Sequence, residues 1–400
     1  MKKQFQKIST LILFLLQGFL LFSQSFIPGQ SYFGTDDYVE YIAGNLPIII
    51  SAPHGGYLEP QEIPDRSCTG CVYLRDSYTQ ELSREILDSM IAQTGCYPHV
   101  IINRLHRKKL DANRDKPEAA VGDRRAELAW DEYHEFIDSA KAEVMRVYGK
   151  GIFLDMHGHA HTIQRIELGY LLTRSNLQLP DSILDTPNYV NRSSIKNLVN
   201  NNLLGHSHST LLRSSFGLGT MFGNASFPSV PSMQDPYPMG TDPFFSGGYN
   251  TARHGSRDSG RIDAIQLECY RNLRFTEFTR RRFAGELGRA IVEYLEIYYF
   301  PDFSSNLCNN NTAIEKEIDS KPIFNMYPNP ANERVFIHFN KAEAYQLVLY
   351  DIHGNKLLEQ NKRPNQRSVE LDLVYIPNAM YYMVVRDKRG IVATQKLFIR

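Results

Sequence analysis

The sequence predicts an α/β unit with a helix-sandwiched, mostly parallel sheet, followed by a small C-terminal β-sandwich. Three observations carry this. Short apolar runs, "LPIIISA", "PHVIINR", "KGIFLDMHG", "IELGYLLT" and "DAIQLECY", are continuous rather than alternating, the pattern of strands covered on both faces. Helical stretches separate them. Beyond Pro301 the apolar period changes to short alternating segments joined by turn residues.

The elements follow in order. Lys2, Lys3 and Lys7 precede "LILFLLQGFLLF" and a polar "SQS", so residues 1–25 read as a secretory signal peptide, too short to span a bilayer comfortably. The mature chain is expected to carry no integral membrane span. From residue 26 to 302 the strands alternate with helices. "SYTQELSREILDSMIAQTG" sets Leu82, Ile86 and Met90 on one stripe before a glycine stop. "AELAWDEYHEFIDSAKAEVMRVYGKG" repeats the pattern, and "TRRRFAGELGRAIVEYLEIYY" closes the unit. Residues 214–260, crowded with Gly, Pro, Phe, Tyr and Ser, have no clean period and read as a long loop walling a pocket. Residues 303–322 read as a polar linker, and 323–400 as the sandwich ("RVFIHF", "YQLVLYDIHGNKLLEQ", "SVELDLVYI", "AMYYMVVRDKRGIVATQKLFI").

The 44 basic and 44 acidic side chains cancel, which argues against a nucleic-acid partner or a general binder of anionic membranes. Five cysteines leave at least one thiol unpaired; Cys68 and Cys71 form a lone C-x-x-C, a local disulfide or two idle thiols.

Chemistry concentrates at strand ends. In "GIFLDMHGHAH" a buried strand delivers Asp155, His157, His159 and His161 at a spacing of two, which directs them to one side if the extended geometry persists. Open α/β sheets hold ligands at that end. Neutral imidazoles suit zinc, and a nearby carboxylate can fix a ligating histidine's tautomer. His54 in "SAPHGG" also lies just past a strand, so His54 and His157 can share one metal ion. The third ligand should be a carboxylate: Glu59, Glu62, Asp65 or Asp76, the last equally placed to cap the following helix. Asn113 and Arg114 in "LDANR" offer a fork for a substrate carboxylate, with Arg104 and Arg107 as alternatives. Glu268, inside the apolar "AIQLECY", is costly to bury unless paired or used. Beside a metal ion it suits a general base; an ion pair with Arg271 or Arg274 is the structural alternative.

Taken together and in order, "SAPHGG" with "IPDR", "RDSYTQELSREI", "LDANR", "LDMHGHAH" and "IQLECYRNLR" resemble the N-formylglutamate amidohydrolase family, related in fold to the zinc carboxypeptidases. The resemblance spans residues 47 to about 290. It implies a Zn2+-dependent hydrolase of amide bonds with His54 and His157 as ligands, Glu268 as general base, and Asn113–Arg114 holding a carboxylate of an N-acyl amino acid or small peptide. A carboxypeptidase carries His-x-x-Glu at the first ligand, whereas Tyr57 stands there in this chain. Asp76, inside the family-like "RDSYTQELS", is then the favoured acidic ligand and Glu59 the next. His159 or Arg104 is expected at the oxyanion, and Tyr249, Arg253 and His254 at the pocket. The aromatic loop and export point to a substrate other than formylglutamate itself. A carboxypeptidase or cell-wall amidase is the nearest alternative, and a non-catalytic surface binding protein the alternative of another class. The tail, through "YPNPA", "LYDIHGNKL", "YIPNAMYYMVV" and "KLFIR", resembles the C-terminal sorting domain of the type IX secretion system of Bacteroidetes, implying export and that machinery as a partner.

Overall fold

The computed structural model describes residues 26–305, 323–351, 355–387 and 390–399. The leader expected over 1–25 lies outside them. So does the linker expected over 303–322, apart from residues 303–305.

Eight strands build the first sheet: β1 (Ser31–Phe33), β2 (Val39–Ile42), β3 (Ile48–Ala52), β4 (His99–Asn103), β5 (Gly151–His159), β6 (Ile166–Gly169), β7 (Ser229–Val230) and β8 (Ile262–Tyr270). Their order is β1-β2-β4-β3-β5-β8-β6-β7. The central run β4-β3-β5-β8 is parallel, while β2 joins β4 and β6 joins β8 antiparallel.

The continuous apolar runs have the expected cause. Ile48, Ile50, Leu154, Met156, Ile265 and Leu267 enter one core, with α1 (Thr79–Thr94) packing against them through Leu82, Ile86 and Met90. Ile49, Ile101, Phe153 and Ala264 enter the opposite core under α2 (Arg124–Tyr148). Alternate residues thus face two dry layers, and each fully buried Leu or Ile contributes about 1.5–3 kcal/mol relative to exposure. Gly95 and Gly149 end α1 and α2 at φ +71°, a conformation that costs any other residue a Cβ clash. Short helices fill residues 174–224, and α3 (Tyr249–His254) and α4 (Glu277–Tyr298) complete the unit. The stretch read as one long loop is therefore partly regular: a helix at Leu218–Asn224, β7 and α3 bracket an irregular run from 231 to 248.

The tail folds as two antiparallel sheets, β13-β10-β9 and β12-β11-β14-β15. The strands are β9 (Phe324–Tyr327), β10 (Arg334–Phe339), β11 (Tyr345–Tyr350), β12 (Lys356–Lys362), β13 (Ser368–Asp372), β14 (Met380–Asp387) and β15 (Gly390–Phe398). Val335, Ile337, Leu347, Leu349, Met383 and Val385 form the sandwich core. The other face of β14 is buried too: Tyr382 and Val384 join the core of the α/β unit, and the Tyr382 hydroxyl donates to Leu204 O at 2.7 Å. Arg386 meets Glu293 at 3.5 Å across the same seam.

Candidate active site

Three neighbouring strands end at one place. β3 hands the chain to His54 two residues beyond Ala52, and β5 and β8 pair with His157 opposite Glu268 and Asp155 opposite Gln266. Because Leu154, Met156, Ile265 and Leu267 point to one core, Asp155, His157, Gln266 and Glu268 share the other side. A Cβ on Gly56 would lie 2.1 Å from Leu105 O, so only glycine lets this turn press against the 104–105 backbone.

The His54 and His157 rings lie 4.8 Å apart, centroid to centroid. Both present Nδ1 to one oxygen of Asp76: His54 at 3.4 Å and His157 at 3.2 Å. The Gly158 N–H donates to the same oxygen at 3.1 Å. Both Nε2 atoms are engaged by other buried carboxylates, His54 by Asp111 at 2.6 Å and His157 by Asp155 at 2.8 Å. A carboxylate only accepts, so each Nε2 carries a proton, and each Nδ1 is left facing Asp76, as a donor when protonated and as a lone pair when an ion stands between them. Two imidazole nitrogens and a carboxylate oxygen converging in a buried space need a positive charge among them, a ring proton or a metal ion. The donor set, two imidazole nitrogens and one carboxylate with carboxylates behind the rings, fits a zinc-type centre.

The titration behaviour has the same origin. Burial alone would raise the pKa of Asp76, but hydrogen bonds and charge from His157 and His54 hold it far below the usual carboxylate range. Burial opposes a charge on His157, yet Asp155, and Asp76 after it, lift it well above an ordinary imidazole. Burial would also raise Asp111, while His54, Arg107 and Arg66 keep it well below its ordinary value. Burial pushes Glu268 up to about 8, with Asp76 and Glu167 adding to the rise and His157 opposing it.

A cleft of about 350 Å³ opens over this group. Asn113 and Arg114 line it; Arg114 is half-buried, with Nε on Glu118 at 2.9 Å and Nη1 on Asn113 O at 3.0 Å. Arg107 lines it as well, reaching Asp111 through Nε at 3.0 Å and Asp76 through Nη1 at 3.4 Å. Asp76 is not a helix cap: the residue capping α1 is Tyr78, without a side-chain bond. The rival carboxylates face outward, Glu59 to Lys108, Asp65 to Lys109 and Glu62 to the Tyr38 hydroxyl. Tyr57 is exposed and donates to Glu81. Glu268 makes no ion pair with Arg271 or Arg274 among the described residues; Arg274 serves the carbonyls of Cys269, Ser77 and His159.

Several expected residues lie elsewhere. His159 ends β5, but its Nε2 donates to Arg165 O at 2.9 Å and its Nδ1 accepts from the His161 N–H at 3.1 Å, so backbone claims both nitrogens. Arg104 donates to Asp37 O at 2.8 Å and covers Phe33, away from the cleft. The helical period of α3 turns Arg253 and His254 to α2, where they meet Asp138 and His134. Tyr249 goes with them, 5.7 Å from the His134 ring. The start of α3 reaches the site through Asn250 instead, whose N–H donates to Asn113 Oδ1 at 2.8 Å and whose Nδ2 approaches Asp155 Oδ1 at 3.3 Å. Asp111, Asn250 and Gln266, which donates to Glu268 at 2.8 Å, were not singled out from the sequence. Cys68 and Cys71 form a disulfide, and Cys269 is a buried free thiol.

Such a strand-end group, with two histidines, a carboxylate and a separate buried glutamate over a cleft, defines a candidate metal centre on an α/β sheet. Residues 325–400 match the family model of the secretion system C-terminal sorting domain, so the β-sandwich is an export address and directs the chain to the cell surface or beyond. No curated protein matches the chain. Among solved structures it is similar to N-formylglutamate amidohydrolase from Ralstonia eutropha JMP134, at 13% identity over 63% of this chain and 94% of that one, with a TM-score of 0.38. It is similar to gene product Atu2144 from Agrobacterium tumefaciens, at 14% identity over 65% of this chain and 95% of that one, with a TM-score of 0.39. A third likeness is to succinylglutamate desuccinylase from Chromobacterium violaceum, at 10% identity over 68% of this chain and 70% of that one, with a TM-score of 0.31. Likenesses this distant leave the chemistry to the site's own geometry. No helix among the described residues is long and apolar enough to cross a membrane.

Proposed function

We propose that the chain is a secreted, zinc-dependent hydrolase that cleaves an amide bond in an N-acyl amino acid or small peptide bearing a free carboxylate. The observation that carries this reading is the convergence of the His54 and His157 Nδ1 atoms on Asp76, with each Nε2 held by its own buried carboxylate. His54, Asp76 and His157 would hold the ion, which when bound polarises the scissile carbonyl and acidifies water.

The chain's own groups do the rest. Glu268, beside His157 and held up by burial, takes a proton from the attacking water and returns it to the amine nitrogen as the carbon–nitrogen bond breaks. Arg107 replaces His159 and Arg104 as the group for the developing oxyanion, because it is the buried cation on the cleft wall. Arg114, positioned by Glu118 and the Asn113 carbonyl, receives the substrate carboxylate. The leader and the tail together support passage through the periplasm to the outside by the type IX machinery.

The test is metal analysis of purified protein together with Glu268→Gln. The expected result is about one zinc per chain and a kcat reduced by roughly 10²–10⁴-fold with metal retained. Protein that holds no zinc, or a Glu268→Gln variant as fast as wild type on N-acyl amino acids, would end the proposal.

A further inference from the structure

Two groups near the cleft, Glu167 and His161, are assigned no step in this chemistry, and their arrangement is specific. Glu167, on β6 beside Glu268, is fully buried, a costly place for a carboxylate without partners. One of its oxygens meets His161 Nδ1 at 2.8 Å; the other accepts the Phe245 N–H at 2.7 Å. The His161 ring in turn stacks on Phe245 at 4.8 Å with the planes 16° apart. The same loop is tied again where the Leu171 N–H donates to Ser246 O at 2.6 Å. A Cβ on Gly169 would stand 2.5 Å from the Gly247 nitrogen, so the loop lies directly against β6. His159, His161 and Glu167 also sit close enough to suggest a second metal centre, but His159 has no lone pair to offer, both nitrogens being bonded to backbone.

This clamp presents an apolar surface to the cleft. Phe244 and Phe245, with Val72, line it together with His157 and Glu268. Resting on the amidohydrolase reading above, we infer that His161 and Glu167 are positioning residues that fix Phe245 as an apolar wall, and that this wall selects substrates carrying an aliphatic or aromatic group next to the scissile amide. A formyl group on glycine would leave the phenyl faces wet, whereas each buried methylene would tighten binding roughly fourfold. The apolar group can sit on the acyl side or on the amino acid side chain, and both place the same chemistry against Phe245.

Zinc-loaded Glu268→Gln protein, which should hold intact substrate, separates the two by calorimetric titration. One arm is N-acyl glycines from formyl to hexanoyl; the other is N-formyl derivatives of Gly, Val, Leu and Phe. The expected result is affinity rising about fourfold per methylene along at least one arm until the cleft is filled. Phe245→Ala should flatten that gradient and Phe245→Leu should keep it. In the otherwise wild-type enzyme, His161→Ala should raise KM for the apolar substrates alone and leave kcat in place, a split that general structural damage would not produce. Affinity that is flat or falls along both arms, or no binding in either, overturns the inference. If wild type cleaves N-formylglycine while both arms are flat, the wall is wrong and the hydrolase reading stands. Graded binding with no hydrolysis by wild type leaves the wall in place and removes the hydrolase.

Discussion

Replacing Asp111 with asparagine should weaken zinc binding without touching any of the three candidate ligands. One oxygen of Asp111 accepts from His54 Nε2 at 2.6 Å and from the Asn113 N–H at 3.2 Å. The other accepts from Arg107 Nε at 3.0 Å and lies 3.6 Å from the Arg66 guanidinium. Asparagine has one accepting oxygen. Two arginines, which can only donate, will draw that oxygen to their side and turn the NH2 towards His54. The His54 Nε2 must then become the acceptor, which moves the ring proton to Nδ1, the atom facing Asp76. Ligation would first require the ring to change tautomer against its partner. Losses from such outer carboxylates are about 10–100-fold in metal affinity, or roughly 1.4–2.7 kcal/mol. Competition against a chromophoric chelator measures the dissociation constant, and 15N spectra of the imidazole report the tautomer. A folded Asp111→Asn protein with wild-type zinc affinity, alongside a His54→Ala protein that has lost it, would refute the argument.

Zinc uptake should release protons, because Asp155 and Asp76 hold His157 charged without a metal; calorimetry in buffers of different ionisation enthalpy counts them, and removal by chelator should lower the melting temperature. Burial holds His99 down to about 4, where its Nδ1 accepts from the Gly44 N–H at 3.1 Å and pairs with the Tyr41 hydroxyl at 2.9 Å. Between its ordinary 6.5 and that value the unfolded chain binds a proton the folded chain refuses. Stability should therefore fall by roughly 3 kcal/mol as pH drops through that window, and His99→Asn, which keeps an acceptor near Nδ1, should remove this component from urea titrations. Tyr382→Ala should cost about 3 kcal/mol at the seam with the tail, and split one calorimetric transition into two.

The parts of this protein written in local pattern were legible in advance: the two-sided strands, the Leu82–Ile86–Met90 stripe, the alternating tail, and His54 just past its strand, although β5 runs on through His157 to His159. What depended on where a side chain finds its partner was not. A spacing of two put His159 beside His157 on paper, but backbone groups at Arg165 and His161 claim its ring. The composition of residues 214–260 reads as a loop walling a pocket, yet the turn of α3 within it carries Arg253 and His254 to the far side and leaves Asn250 at the site. Glu167, between Ile166 and Leu168, carried the same signal as Glu268, an acid within an apolar strand, and went unweighed. Asp111 stood unnoticed in "LDANR", because only the folded 105–114 turn brings it behind His54.

The three donors facing one another in the cleft are far apart along the chain, 22 positions from His54 to Asp76 and 81 from Asp76 to His157. An extended polypeptide passing through a translocon offers no chelating run from these residues. On the proposed reading, metal would be held only once the closed sheet brings the three donors together.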